Sequence, residues 1–168
     1  MERIREMIRR LPTRLEFLIV IVWAFGQFIF ASILSIGTAR TAVNDFIAAW
    51  NAHDPDAVRG VFAADGTLYD PFTPDGINGP AIAESVRHVF EQFRDVALVL
   101  GSVVEADGGR VAFEWRLTAT AASAEGRPVP VSLVGCDVAV VTNGRFAELR
   151  SYFDRARIME QLTARGAA

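Results

Sequence analysis

The chain has 168 residues, 51% of them hydrophobic, and a formal net charge of −3, which is enough for one domain with a sizeable core. It contains no lysine, one cysteine and two histidines, which excludes a lysine Schiff base, a Walker-type phosphate loop, an internal disulfide and a Cys/His zinc motif. No basic cluster with interleaved aromatics occurs, so the charge pattern points away from nucleic acid as a partner.

The hydrophobic share is uneven. Residues 17–36, FLIVIVWAFGQFIFASILSI, are twenty consecutive uncharged positions, the length of one helical bilayer crossing. Arg3, Arg5, Arg9, Arg10 and Arg14 precede the run and Arg40 follows it. The positive-inside bias then leaves the N-terminus in the cytoplasm and the remaining chain on the non-cytoplasmic, periplasm-like side of the membrane. SIGTARTA is a poor cleavage site, so a retained anchor is preferred over a cleaved signal peptide. If the leader is not native to the domain, the expected location is cytoplasmic. The expected division is a basic N-terminus with a hydrophobic anchor helix over 1–37 and a folded domain over 38–168. Residues 37–168 carry 12 basic and 17 acidic side chains, a net charge of −5.

The folded part opens with a helix over about residues 41–51, where Val43, Phe46, Ile47 and Trp50 form one apolar stripe. HDPDAV restarts a helix, with Asp54 as N-cap and Pro55 in the first turn, and with Val58, Val61 and Phe62 on its buried face. DGTLYDPF reads as a turn and a short strand limited by Pro71. NGPAIAESVRHVFEQF is a third helix with Ile82, Val86, Val89, Phe90 and Phe93 inward. Apolar residues then alternate. VALVLGSVVEA, RVAFEWRLTAT, VPVSLVGCDVAVV and RFAELRSYF are strands, separated by ADGG, SAEGRP and TNG turns. A short helix from Asp154 packs through Ile158, Met159 and Leu162. Helices followed by a mostly antiparallel sheet make an α+β domain, and a curved sheet wrapped on helices encloses an apolar cavity for a small ligand.

AAWNAHDPDAVRGVFAADGTLYDP, GPAIAE, VGCDVAVVTNGRF and SYFDRARIMEQL resemble the SnoaL-like branch of the NTF2-like superfamily, the nuclear transport factor 2 family. That branch includes polyketide cyclases, limonene epoxide hydrolases and ketosteroid isomerases. The resemblance runs over about residues 41–165. It implies a cone-shaped barrel in which a curved, mostly antiparallel sheet packs on three N-terminal helices; the preceding single hydrophobic helix, expected to span a membrane, lies outside the resemblance. It also implies a small apolar molecule as ligand, no cofactor, and a homodimer through the outer sheet face.

The ketosteroid isomerases are the closest match for chemistry. Their general-base aspartate matches Asp70 in LYDPF, their oxyanion-hole aspartic acid matches Asp137 in VGCDVAVV, and their oxyanion-hole tyrosine matches Phe46. Phenylalanine keeps the ring and loses the donor. Limonene epoxide hydrolases and polyketide cyclases of this type carry an acid where this chain has Ser151, so the resemblance to them lacks its water-activating group.

The residues support a pocket independently. Asp70 shares a strand face with Leu68 and Phe72, and Asp137 alternates with Leu133, Gly135, Ala139 and Val141. Carboxyls on apolar faces are hard to ionise, and two acids in different environments divide into base and acid. On the isomerase resemblance, Asp70 is the expected base and protonated Asp137 the expected oxyanion donor. Phe46, Trp50, Leu68, Phe113, Trp115, Leu149, Ser151 and Phe153 are the expected pocket lining. Asp70 before a proline is equally a turn residue that accepts backbone hydrogen bonds. A non-catalytic ligand-binding or assembly module, anchored to the membrane, is the second reading. Glu114, Arg116, Cys136 and Tyr152 are expected to face outward, and His88 to be solvated surface.

Overall fold

The structure, a computed structural model, describes residues 39–122 and 126–164. The expected membrane helix over residues 17–36 lies outside these residues. No helix among the described residues is long and apolar enough to cross a membrane.

Helix α1 is described over residues 39–51. It buries Ala39, Ala42, Val43, Phe46 and Ala49 along one stripe, the spacing that brings one helix face onto a core. Its end is fixed by two polar side chains reaching the sheet. The Asn51 amide donates to the Leu98 carbonyl at 2.9 Å and accepts from the Leu98 N–H at 2.8 Å. His53, with φ of 53°, places Nε2 2.7 Å from the Val96 carbonyl. Both satisfy backbone groups that an edge strand would otherwise leave open.

Asp54 caps the next helix, α2 (Pro55–Gly60), by accepting from the Asp56 and Ala57 N–H groups at 3.0 and 2.9 Å. Helix α2 is shorter than its apolar pattern predicts. Phe62, expected on its buried face, opens strand β1 (Phe62–Asp70) instead. Strand β2 (Thr73–Asn78) follows. It was not legible in the sequence, because Pro74, Asp75 and Gly76 read as turn residues. Helix α3 (Pro80–Gln92) buries Ile82, Ala83 and Val86. Phe93, expected to end that helix, instead begins β3 (Phe93–Ala106).

Strands β4 (Arg110–Ala122), β5 (Pro128–Thr142) and β6 (Arg145–Phe153) complete the sheet, and helix α4 (Arg155–Ala164) follows. Among the described residues the strand order is β2-β1-β6-β5-β4-β3. All neighbours are antiparallel except β1 and β6, which are parallel. Irregularities in β1, β3 and the β5–β6 pairing bend the sheet, giving the mixed α+β, cone-like NTF2 architecture. The bent face carries Val111, Phe113, Trp115, Leu133, Ala139, Val141, Phe146 and Leu149 into one core with Val43, Phe46, Val58 and Ile82 from the helices. Glu114, Arg116 and Tyr152 are exposed on the opposite face, and Cys136 beside them is half-buried.

Candidate active site

Between the helices and the sheet lies a cavity of about 450 Å³. Phe46, Trp50, Leu68, Asp70, Trp115, Asp137, Ser151 and Phe153 all line it. Phe113 and Leu149, expected in the lining, do not. They are 1% and 0% exposed and close the core beneath it, because inward-pointing residues at those positions meet Phe46 and other core side chains before they meet the cavity.

Asp137 is the buried charged or polar residue of the core among the described residues, at 1% exposure. It sits mid-strand on β5, opposite Phe113 on β4 and Ser151 on β6. The Trp115 indole Nε1–H donates to its Oδ1 at 2.7 Å. Burial pushes the carboxyl up from an ordinary 3.8 to about 7. Hydrogen bonds from Trp115 and then Ser151 oppose that rise, and the charge of Asp70 adds to it. Desolvation therefore outweighs the two donors, and near neutral pH a substantial fraction of Asp137 is a neutral acid able to donate.

Asp70 ends β1 at the cavity. Its Oδ1 accepts from the Phe72 and Thr73 N–H groups, each at 2.7 Å. The turn reading holds, and the same side chain also lines the cavity, its carboxyl oriented by the two backbone donors. Phe46 is 5% exposed and makes edge contacts with Trp50, Phe62, Phe113 and Phe146 at centroid distances of 5.7–6.4 Å, so its ring contributes shape and no polar atom.

Several contributors were missed from the sequence. Helix α4 supplies Ile158, Met159 and Leu162 to the lining. It is held down where β6 has ended: the Gln161 amide pairs with the backbone of Ser132 on β5, accepting from its N–H and donating to its carbonyl, both at 2.9 Å. Arg155 ties the start of α4 to the Pro71 carbonyl at 2.9 Å and stacks over Phe72. His88, expected as plain surface, is exposed but also borders the cavity, paired with Gln92 at 2.7 Å. Trp115 was foreseen as a wall and not as the Asp137 donor. The signal was Gly135, a residue without a side chain on the buried face of a strand. No metal-holding group of three or more His, Cys, Asp or Glu side chains exists among the described residues.

The family model for the SnoaL-like domain matches residues 43–149. The chain belongs to the SnoaL-like domain family. No curated protein matches it. Among solved structures, this SnoaL-like chain is similar to a protein with a ketosteroid isomerase-like fold from Catenulispora acidiphila, with a TM-score of 0.64 and 20% identity over 72% of this chain and 91% of that one. It is similar to an epoxide hydrolase from M. tuberculosis, with a TM-score of 0.62 and 24% identity over 79% and 93%. A proposed polyketide cyclase from Xanthomonas campestris gives a TM-score of 0.66 and 19% identity over 77% and 99%. At these identities the shared property is the SnoaL-like fold.

Proposed function

We propose that this SnoaL-like protein is a cofactor-independent acid/base enzyme of the ketosteroid isomerase-like kind, moving a proton within a small, largely apolar carbonyl compound. The observation that carries this reading is the placement of Asp137, a buried acid raised to about 7, in a cavity that Asp70 also lines. In the proposed step, the Asp70 carboxylate takes a proton from the carbon next to the carbonyl. The C–H electrons move into the carbon skeleton and charge develops on the oxygen, which accepts a hydrogen bond from the Asp137 O–H. Return of the proton from Asp70 to a different carbon completes an isomerisation; loss of a leaving group instead gives a lyase outcome. Base and donor in such roles each contribute orders of magnitude in rate. The reading is tested by proton exchange or isomerisation on a panel of unsaturated ketones with the wild type and Asp70→Asn. Turnover by the wild type and its loss in the variant support it; equal rates for the two proteins remove it.

Phe46 favours a second reading, a non-catalytic ligand-binding or assembly module. A ring without a hydroxyl leaves Asp137 as the sole acid aimed at a developing oxyanion. In either reading we propose that residues 17–36 anchor the domain, residues 38–168, on the non-cytoplasmic side of a membrane. We also propose pairing of two copies through the outer sheet face, where Val99, Val134, Val138 and Tyr152 are exposed. An exposed apolar sheet face of this kind is suited to a subunit contact.

A further inference from the structure

The cavity's carboxyls and its aromatic walls together carry an implication for ligand charge. Asp70 from β1 and Asp137 from β5 are the acids that face it, and His88 from α3 stands at its border. The other lining residues are uncharged, and no arginine lines it among the described residues. The charge of Asp70 reaches Asp137, so the two repel when both are ionised, in surroundings that screen poorly. A cation beside them removes that repulsion, whereas an anion meets two carboxyls.

The walls suit the same ligand. Trp115 and Phe153 meet edge-on with centroids 6.0 Å apart, and Phe72 lies 5.9 Å from Phe153. Phe72 is covered by the Arg155 guanidinium, 4.5 Å from its ring centre, which leaves Trp115 and Phe153 as the rings that receive the hydrocarbon part of a ligand. The cavity thus combines two carboxyl side chains with aromatic walls.

We propose that the cavity binds hydrophobic amines in their protonated form, with the ammonium at Asp70 and Asp137 and the hydrocarbon against Trp115 and Phe153. No covalent bond changes. The amine enters with its proton, and Asp137, where it is neutral, releases its own to solvent as the ion pair forms. The inference concerns binding and stands whether or not the protein turns over ketones.

Three probes of similar size separate the possibilities: N,N-dimethylbenzylamine, its uncharged carbon isostere isobutylbenzene, and phenylacetate. Each is measured on the full chain by displacement of the neutral fluorophore N-phenyl-1-naphthylamine. At about pH 8 the amine is expected to bind about tenfold tighter than isobutylbenzene, the size of one charge-assisted contact, and phenylacetate more weakly than isobutylbenzene. At about pH 6 the amine's advantage shrinks, and calorimetry in two buffers of different ionisation heat records proton release on amine binding. Asp137→Asn removes both the release and the pH dependence. Isobutylbenzene binding as tightly as the amine at the higher pH, amine binding without proton release at the lower, or no amine binding would each overturn the proposal. These wild-type comparisons decide it even if the variant does not fold. Ketone turnover with no amine preference overturns this inference alone.

Discussion

Trp115 and Gly135 sit directly opposite each other on β4 and β5, and the indole lies over the glycine's α-carbon. A Cβ added at Gly135 would overlap the six-membered ring of Trp115. The missing side chain is what leaves room for the indole over β5 and lets it bring Nε1–H to the carboxyl of Asp137, two residues further along the same face.

Gly135→Ala should therefore displace the indole and cost about 1–3 kcal/mol, as overpacking of a tight core does. Trp115→Phe keeps most of the bulk and removes the donor. Because that donor favours the ionised carboxyl, both substitutions should raise the Asp137 midpoint above the wild-type value of about 7. Infrared titration of the protonated carboxyl band checks the direction. A fall in the midpoint would show that the indole does not stabilise the carboxylate.

Stability should depend on pH through the same group. The folded-state value of Asp137 is raised from 3.8 to about 7, so between those limits the folded protein holds a proton that the unfolded chain has lost. Its contribution is fully present below the lower value, declines as pH rises, and is gone above the higher one. A shift of this size corresponds to several kcal/mol. Asp137→Asn, neutral at every pH, should come closest to the wild type near pH 4 and exceed it near pH 8 by roughly 5–10 °C in melting temperature. Thermal melts at the two pH values measure this.

The two roles of Asp70 separate by choice of substitution. Asparagine retains an oxygen for the Phe72 and Thr73 N–H groups and abolishes the base; alanine abolishes both. Asp70→Asn should lower proton-exchange rates about 100-fold or more with a melting temperature close to wild type. Asp70→Ala should also lose about 1–2 kcal/mol of stability through the orphaned turn donors. Equal destabilisation by both would mean that the turn does not depend on this side chain.

Phe46→Tyr restores a hydroxyl at the cavity. If the proposed chemistry operates, the ketone proton-exchange rate should rise about tenfold or more, since an oxyanion donor is commonly worth at least that. The packed aromatic surroundings of Phe46 set a cost of about 1–3 kcal/mol in stability if the hydroxyl finds no partner. Kinetics and melting on the same preparation separate the gain from the cost.

The legible and illegible parts of the molecule differ by range. Asp54 capping α2 and the alternation of β4 and β5 are local patterns, and both stand in the structure. The outward placement of Glu114 and Arg116 follows from the same alternation. The end of α2 is not legible locally, because Val61 and Phe62 fit a helical stripe and an opening strand equally well. Phe113 and Leu149 point inward as alternation requires, yet depth beneath the cavity depends on which helix residues face them. The Trp115–Asp137 bond joins residues 22 positions apart, and it required the β4–β5 register, which no local pattern encodes. The closure by α4 through Gln161 and Ser132 has the same long-range character.

The protonation state of Asp137 is the point on which the acid/base reading turns, and carboxyl-carbon NMR of aspartate-labelled protein measures it directly. One resonance should titrate with a midpoint of about 7, disappear in Asp137→Asn, and move to lower pH in Asp70→Asn, where the neighbouring charge is gone. If instead every aspartate titrates in the ordinary carboxylate range, Asp137 is an ionised, satisfied strand acid and has no proton to donate at neutral pH.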